Sequence, residues 1–343
     1  MKQKEFLTLI GSIGLVLVLT VPSLAQVIKL TLADQNPATA WGPVHALQPW
    51  AKKVEEVTKG RVKIEIYPTQ TLVKGPDMWS AVKTGVTDMG WCFHGFWPDM
   101  TPLAEVITVP SLPFTSAEKG SEVFWKLYER FPAIQREFKD VHLLFVWTSD
   151  PYLLMTAKKQ VKTMEDLKGM KIKVLGGPPM DQMKALGGIP VPVPMPDTYM
   201  SMDKGIIDGA AVPWEAISAW RFYEVAKYYT ILPLHAVSFS MPMNKQRWES
   251  LPTDIQQAIT SVSGLWAAKF WGHHWFDTAE DDLVKRIKGT NYQIIKYIPP
   301  PEEVERWTKV AGEPIWEKWV KKLESKGYPE AQQVLNATLE MLK

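Results

Sequence analysis

The chain has 343 residues, 46% of them apolar and 22% charged, ordinary values for a globular protein that exclude a disordered one. The net charge is only +2, and no Lys/Arg run is long enough to form a polybasic patch, so the charge gives no case for nucleic acid. A single cysteine, Cys92, excludes an internal disulfide, and sixteen tryptophans are the compositional outlier.

Met1-Lys2-Gln3-Lys4 is a short positive segment, followed by an apolar stretch over 6–21 that Pro22 ends. Ser23-Leu24-Ala25 then supplies small residues for a signal peptidase, so residues 1–25 read as a secretory signal peptide cleaved before Gln26. The apolar stretch is shorter than the roughly 18–20 residues of a spanning helix. No cysteine stands at the cleavage site for lipid attachment.

Beyond the leader, Ile28, Leu30 and Leu32 alternate with polar residues, and Val62, Ile64 and Ile66 repeat the pattern, which predicts two half-buried strands. Leu47, Val54 and Val57 between them form a helix stripe ending at Gly60, with Pro49 either starting or kinking it. Gly75-Pro76 opens a further helix that Gly85 closes. A strand over 141–147 leads to Thr163-Met164-Glu165-Asp166, which has capping-box spacing. A strand at 170–174, a helix at 179–186 and a strand at 189–194 follow, and this alternation predicts an α/β protein with mostly parallel sheets.

Segments 79–88 and 199–208 share a design: a helix, a Gly where a left-handed cap is wanted (Gly85, Gly205), then a strand entry ending in Asp. After Leu251-Pro252, Thr253 is placed to cap a helix while Gln256 reaches back. Ile255, Ile259, Val262, Trp266 and Phe270 then share one face, which predicts a helix of about 30 residues, near 45 Å, long enough to run across two domains. The segment 302–343 reads as amphipathic helix broken around Gly327–Pro329.

No catalytic set emerges. A glycine-rich phosphate loop, a dinucleotide fingerprint and a G-x-S-x-G elbow are all absent. His273 and His274 are adjacent, about 100° apart on a helix, where zinc ligands want spacings of three or four. Cys92 beside His94 has no evident carboxylate orienter and reads as a buried thiol. Neither a cofactor nor a metal site is expected.

The stretch from Lys162 to Val174, KTMEDLKGMKIKV, resembles the central motif of the DctP-type solute-binding subunits of TRAP transporters (tripartite ATP-independent periplasmic transporters). The resemblance continues through Ala185–Gly188, Pro194–Tyr199, Lys204–Gly209, Pro213-Trp214-Glu215, Tyr223–Tyr228 and Trp248–Pro252, with Gly60-Arg61-Val62 and Val109–Phe114 upstream. It covers nearly all of the chain after the leader. The resemblance implies a two-domain periplasmic binding protein fold with a central cleft and a long helix shared by both domains. It assigns 26–150 plus about 239–275 to domain I, 151–238 plus about 276–300 to domain II, and 301–343 to C-terminal helices packing across them.

In function it implies a monomeric periplasmic receptor, not an enzyme, that captures a small organic acid or aromatic-bearing solute. Delivery is then to the small and large membrane subunits of an ion-gradient-driven permease; handing the solute to a sensor kinase is the alternative. One departure bears on the solute. Where the family carries an Arg that grips a carboxylate with two parallel bonds, this chain has Lys173, a point charge with rotatable donors. Lys173 either binds an anion less directionally, or turns outward because the solute lacks one, or is displaced by a shift of register. Trp91, Phe93 and His94 after the first repeated unit, Trp147 and Tyr152 at the first domain crossing, and Trp214 after the second unit are expected to wall the cleft, with Asp34, Trp41 and Met195 as further candidates.

Overall fold

The computed structural model describes residues 27–97 and 99–343. The expected leader, residues 1–25, and its cleavage point lie outside them.

Twelve strands are shared between two mixed sheets among the described residues. They are β1 Ile28–Ala33, β2 Val62–Tyr67, β3 Met89–Gly90, β4 Cys92–Phe93, β5 His142–Thr148, β6 Leu153–Thr156, β7 Lys171–Lys173, β8 Ile189–Val191, β9 Gly209–Val212, β10 Tyr228–Thr230, β11 Ser238–Met243 and β12 Ile295–Tyr297. Lobe I holds the sheet β2-β1-β3-β11-β4, with β5 on the other side of β11, and lobe II holds β12-β10-β6-β9-β7-β8. β1 pairs in parallel with β2 and β3, β7 in parallel with β8 and β9, and β11 and β6 run antiparallel to their neighbours. β11 is buried along its whole length, as a strand covered on both faces should be.

The two repeated segments fold alike. Gly85 and Gly205 both adopt left-handed φ, 80° and 68°, to end their helices. Each closing Asp then clamps the neighbouring parallel strand: the Thr31 N–H donates to Asp88 Oδ2 at 2.8 Å, and the Lys171 N–H donates to Asp208 Oδ2 at 2.8 Å. The segment is thus a lock that fixes which strand lies beside which, once in each lobe.

The long helix differs from the sequence expectation. Thr253 is the first residue of the helix Thr253–Ser261 rather than its cap, and Gln256 donates to the Trp248 carbonyl instead. That helix ends at Val262, whose carbonyl accepts the Trp50 indole N–H at 2.9 Å, and Ser263 is extended. Gly264 then restarts the run with φ 56°, beneath the Trp125 ring, where a side chain would sit 3.1 Å away. From Gly264 to Trp271 the run is α-helical, from Gly272 to Asp277 a π-helix, and from Ala279 to Ile287 α-helical again. At 1.5 Å per residue it spans roughly 36 Å. Its first part packs on β5 and the helix Ala117–Arg130 in lobe I, its last part on the helix Trp214–Ala219 in lobe II, so it is shared by both lobes.

The C-terminal helix Pro301–Ala311 rests on the helix Pro178–Ala185 of lobe II, and Ala331–Leu342 rests on Ala117–Arg130 of lobe I, with Glu313–Ser325 between them. No described helix is long and apolar enough to cross a membrane.

Candidate functional site

In open α/β sheets, ligands gather at the carboxyl ends of parallel strands. Asp34 follows β1, Trp91 follows β3, Lys173 closes β7, and Trp214 comes two residues after β9. Between the lobes run two extended crossings, 149–152 and 231–237, which bond to each other: Tyr152 N–H to His235 O at 2.7 Å, Leu234 N–H to Tyr152 O at 3.2 Å and Ser149 N–H to Val237 O at 3.0 Å. The π-helical segment of the spanning helix makes the third crossing.

Lobe I packs an aromatic cluster at the strand and helix segments that adjoin these crossings. Trp147 stacks on Phe239 at 5.3 Å and lies 4.6 Å from Trp271, while Trp91 is 4.9 Å from Phe239 and 5.5 Å from Trp275 between ring centroids. Phe93 joins it from the side, 5.5 Å from Phe239. Buried indole N–H groups normally find an acceptor, yet those of Trp91, Trp147 and Trp271 have none within the protein. Trp41 also lacks one; it stacks on His45 and packs against the lobe II cluster that holds Trp214 and Tyr229.

Lys173 is 1% exposed and its Nζ has no partner. Burial pulls its pKa down to about 8. His235, 3% exposed, likewise has both ring nitrogens free of partners; burial, then the Lys173 charge, holds its pKa down at about 3. Tyr152 packs on His235 at 4.6 Å, its phenol pushed well up by burial and by Asp150 and Glu215.

Carboxylates occupy other parts of the junction. Asp150, 6% exposed, has an unpartnered Oδ1, and its pKa is raised by burial and then by Asp277. Burial lifts Glu215 to about 7. Asp34 is wholly buried and raised to about 6; its Oδ1 accepts from the Asn36 N–H at 3.1 Å and from Asn36 Nδ2 at 2.8 Å, while Oδ2 has no partner.

Three expected wall residues pack against partners within their own lobe. His94 is enclosed in lobe I, its Nε2 2.9 Å from Ser240 Oγ and its Nδ1 3.2 Å from Glu105, so its hydrogen-bonding capacity is spent on the core. Trp214 is buried against Tyr229 at 5.4 Å, with Lys296 Nζ 5.0 Å from its ring centroid. Met195 starts the helix Met195–Asp203, half-buried against the same lobe II cluster. Sequence reasoning had passed over His235, Asp150, Trp271 and Trp275; the i, i+4 spacing of the two tryptophans was the one available signal.

Glu118, His273 and Asp277 come close enough to hold a metal ion, but both Asp277 oxygens already accept backbone N–H groups, from Ala117 at 2.6 Å and Glu118 at 2.9 Å, and Lys269 pairs with Glu118. The cluster caps the helix Ala117–Arg130. A separate open groove of about 610 Å³ lies on the outer face of lobe I, where Trp79 and Arg136 meet Tyr328.

Residues 39–323 match the family model DctP: Bacterial extracellular solute-binding protein, family 7. The chain belongs to this family. A curated relative, the "Outer membrane transporter protein TsaT" of Comamonas testosteroni, is 28% identical over 300 residues, 86% of this chain and 85% of the relative. Among solved structures, a TRAP solute-binding protein from Rhodoferax ferrireducens T118 in complex with copurified benzoate superposes with a TM-score of 0.82 at 26% identity, over 92% of this chain and 97% of that one. A marine metagenome TRAP solute-binding protein specific for aromatic acid ligands, with co-crystallized 3-hydroxybenzoate, gives a TM-score of 0.82 at 27% identity, over 92% and 98%. The protein is therefore a two-lobed TRAP-type solute receptor, a carrier rather than a catalyst, associated with the membrane subunits of such a transporter. The two-lobed fold class, the family and this role agree with the sequence expectations, whereas the sheets are mixed rather than mostly parallel because β11 and β6 run antiparallel to their neighbours.

Proposed function

We propose that this receptor captures an aromatic carboxylate, with the anion on Lys173 and the ring against the indole wall of lobe I. One observation carries the reading: a lysine ammonium, 1% exposed, with no hydrogen-bond partner. An unpaired charge is expensive to bury, and a solute anion is the partner that offsets the cost. Its inward position argues against the reading in which Lys173 turns to solvent. The indole cluster of lobe I offers ring faces and free N–H donors, which suit a planar apolar body with polar edges. The benzoate and 3-hydroxybenzoate carried by the two similar structures support the same solute class.

In this reading the leader is removed before Gln26 and the mature receptor is a periplasmic monomer. Its domains I and II divide as the sequence resemblance implies and close about the crossings at 149–152 and 231–237. The test is a thermal-shift and calorimetric panel on the mature protein, comparing aromatic carboxylates with aliphatic dicarboxylates, sugar acids and amines. Aromatic carboxylates should raise the melting temperature, since a ligand that binds only the native state stabilises it. Lys173→Ala should weaken their binding at least ~tenfold, about 1.4 kcal/mol. A shift produced only by another class, or unchanged affinity in the variant, would sink the reading.

A further inference from the structure

Capture of an anion by Lys173 gives no role to Asp34. The backbone pairing places it closely. Ala33 pairs with Gly90, and the Trp91 N–H donates to the Ala33 carbonyl at 3.0 Å. Asp34 and Trp91 therefore stand side by side, one step beyond the last paired residues of two adjacent parallel strands. Strand alternation puts Asp34 on the face of Leu32, and Leu32 and Trp91 belong to the same core cluster. Asp34 is 0% exposed and Trp91 4%.

The two bonds from Asn36 to Asp34 Oδ1 fix the carboxyl and leave Oδ2 presented without a partner, and Trp91 Nε1 also has none. One buried acceptor and one buried donor thus stand at neighbouring positions, both unsatisfied. A single group that satisfies both must donate to a carboxylate and accept from an indole. A hydroxyl does both; an ammonium has no acceptor, a second carboxylate no donor, and a methyl neither.

We infer that Asp34 and Trp91 form a hydroxyl subsite, so that the solute is a hydroxylated aromatic carboxylate; this rests on the aromatic-carboxylate reading above. Asp34 and Trp91 are specificity-determining residues in this account, and Lys173 supplies affinity common to all aromatic acids. A site that hydrogen-bonds a hydroxyl discriminates strongly against analogues lacking it, because the buried polar groups are then left unpaired.

The experiment is calorimetric titration of the mature protein with matched sets: benzoate and phenylacetate, each with its ring-hydroxylated isomers and their methyl ethers. In the wild type the preferred hydroxylated acid should bind at least ~30-fold tighter than its unsubstituted parent and its methyl ether. Asp34→Ala should bring that ratio below about threefold, and Trp91→Phe, which keeps a ring but removes the N–H, should reduce it in the same direction. Trp91→Phe also carries the test should Asp34→Ala fail to fold. Lys173→Met should weaken parent and hydroxylated acids together and leave their ratio standing. Equal binding of hydroxylated and parent acids by the wild type would mean that water fills the subsite, and would overturn the inference while the receptor keeps its aromatic-carboxylate function. An unchanged ratio in both subsite variants would overturn it as well. If no aromatic carboxylate binds, the functional reading fails first and takes this one with it.

Discussion

At the scale of single residues, the proposed function turns on Lys173, a buried lysine where the sequence resemblance implies an arginine. An arginine stays charged at any accessible pH and offers a planar fork, whereas a lysine shifts its pKa readily when buried. With its pKa drawn down to about 8 by burial, Lys173 begins to lose its proton in the empty site just above physiological pH. Only the ammonium pairs with a carboxylate, so affinity should be flat below about pH 7 and fall by up to ~tenfold per unit above pH 8. Titrations between pH 6 and 9.5 would show this. Lys173→Arg should abolish the alkaline loss, and a wild-type affinity that stays level to pH 9.5 would contradict the role given to this lysine. His235 stays neutral throughout that range, its pKa being near 3, and adds hydrogen-bonding capacity rather than charge.

At the scale of elements, the repeated lock determines the strand order on which the site depends. Asp208 ties the strand before Trp214 to the strand that ends in Lys173, and Asp88 ties the strand before Trp91 to the strand before Asp34. Removing Asp88 leaves a partly buried backbone N–H without its acceptor, at a cost of about 1 kcal/mol or more, whereas at the exposed Lys171 N–H water can replace Asp208 and the cost is smaller. Asp208→Ala and Asp88→Ala should each lower the urea midpoint accordingly, and Asp208→Ala should also weaken solute binding through Lys173; a midpoint unchanged in both would show that the locks are dispensable. These units were legible in the sequence because a helical stripe, a left-handed Gly and a strand entry are all local signals. The positions of Asp34, Trp91 and Lys173 at strand ends were legible for the same reason. The break at Val262–Gly264 was not, because its causes are Trp50 and Trp125, brought there by tertiary packing. His94 was misread because its partner Ser240 lies 146 residues away, and His235 and Asp150 were missed because the crossings exist only once distant strands have paired.

At the scale of the whole molecule, burial has raised carboxyl pKa values at several places together. Glu215 and Glu137 are near 7, Asp34 is near 6, and Asp150 and Asp277 are also raised. Between the unfolded carboxyl values, near 4, and these folded ones, the native state holds more protons than the unfolded chain. These carboxyls therefore contribute stability that is lost as pH rises from about 4.5 to 7, while His142 and His235, held near 4 and 3 by burial, contribute stability gained over the same range. The surface carboxyls act in another window: Glu165, held near 2 by Arg306, and Asp254, lowered by Arg61, contribute stability that is lost only as pH drops below about 4. Glu215→Gln should therefore remove one of the falling contributions, so that between pH 4.5 and 7 its melting temperature rises more, or falls less, than that of the wild type. The same pH dependence in wild type and Glu215→Gln would mean that this carboxyl is hydrated in solution.

The position of β11 has a consequence for how the chain is made. It lies inside the lobe I sheet, between β3 and β5, yet its residues, Ser238–Met243, come after nearly all of lobe II in the sequence. Lobe II in turn waits for β12, at Ile295–Tyr297. A nascent chain emerging from its N-terminus thus cannot finish either sheet until most of its length has been synthesised, because the central strand of the first comes from the far side of the second. Early compaction is limited to pieces with open edges, such as β1 and β2 around the helix Gln48–Val57. Contacts of such long sequence separation are slow to form. The strand order therefore sets completion of both sheets late in synthesis, after Ser238–Met243 for the first and Ile295–Tyr297 for the second.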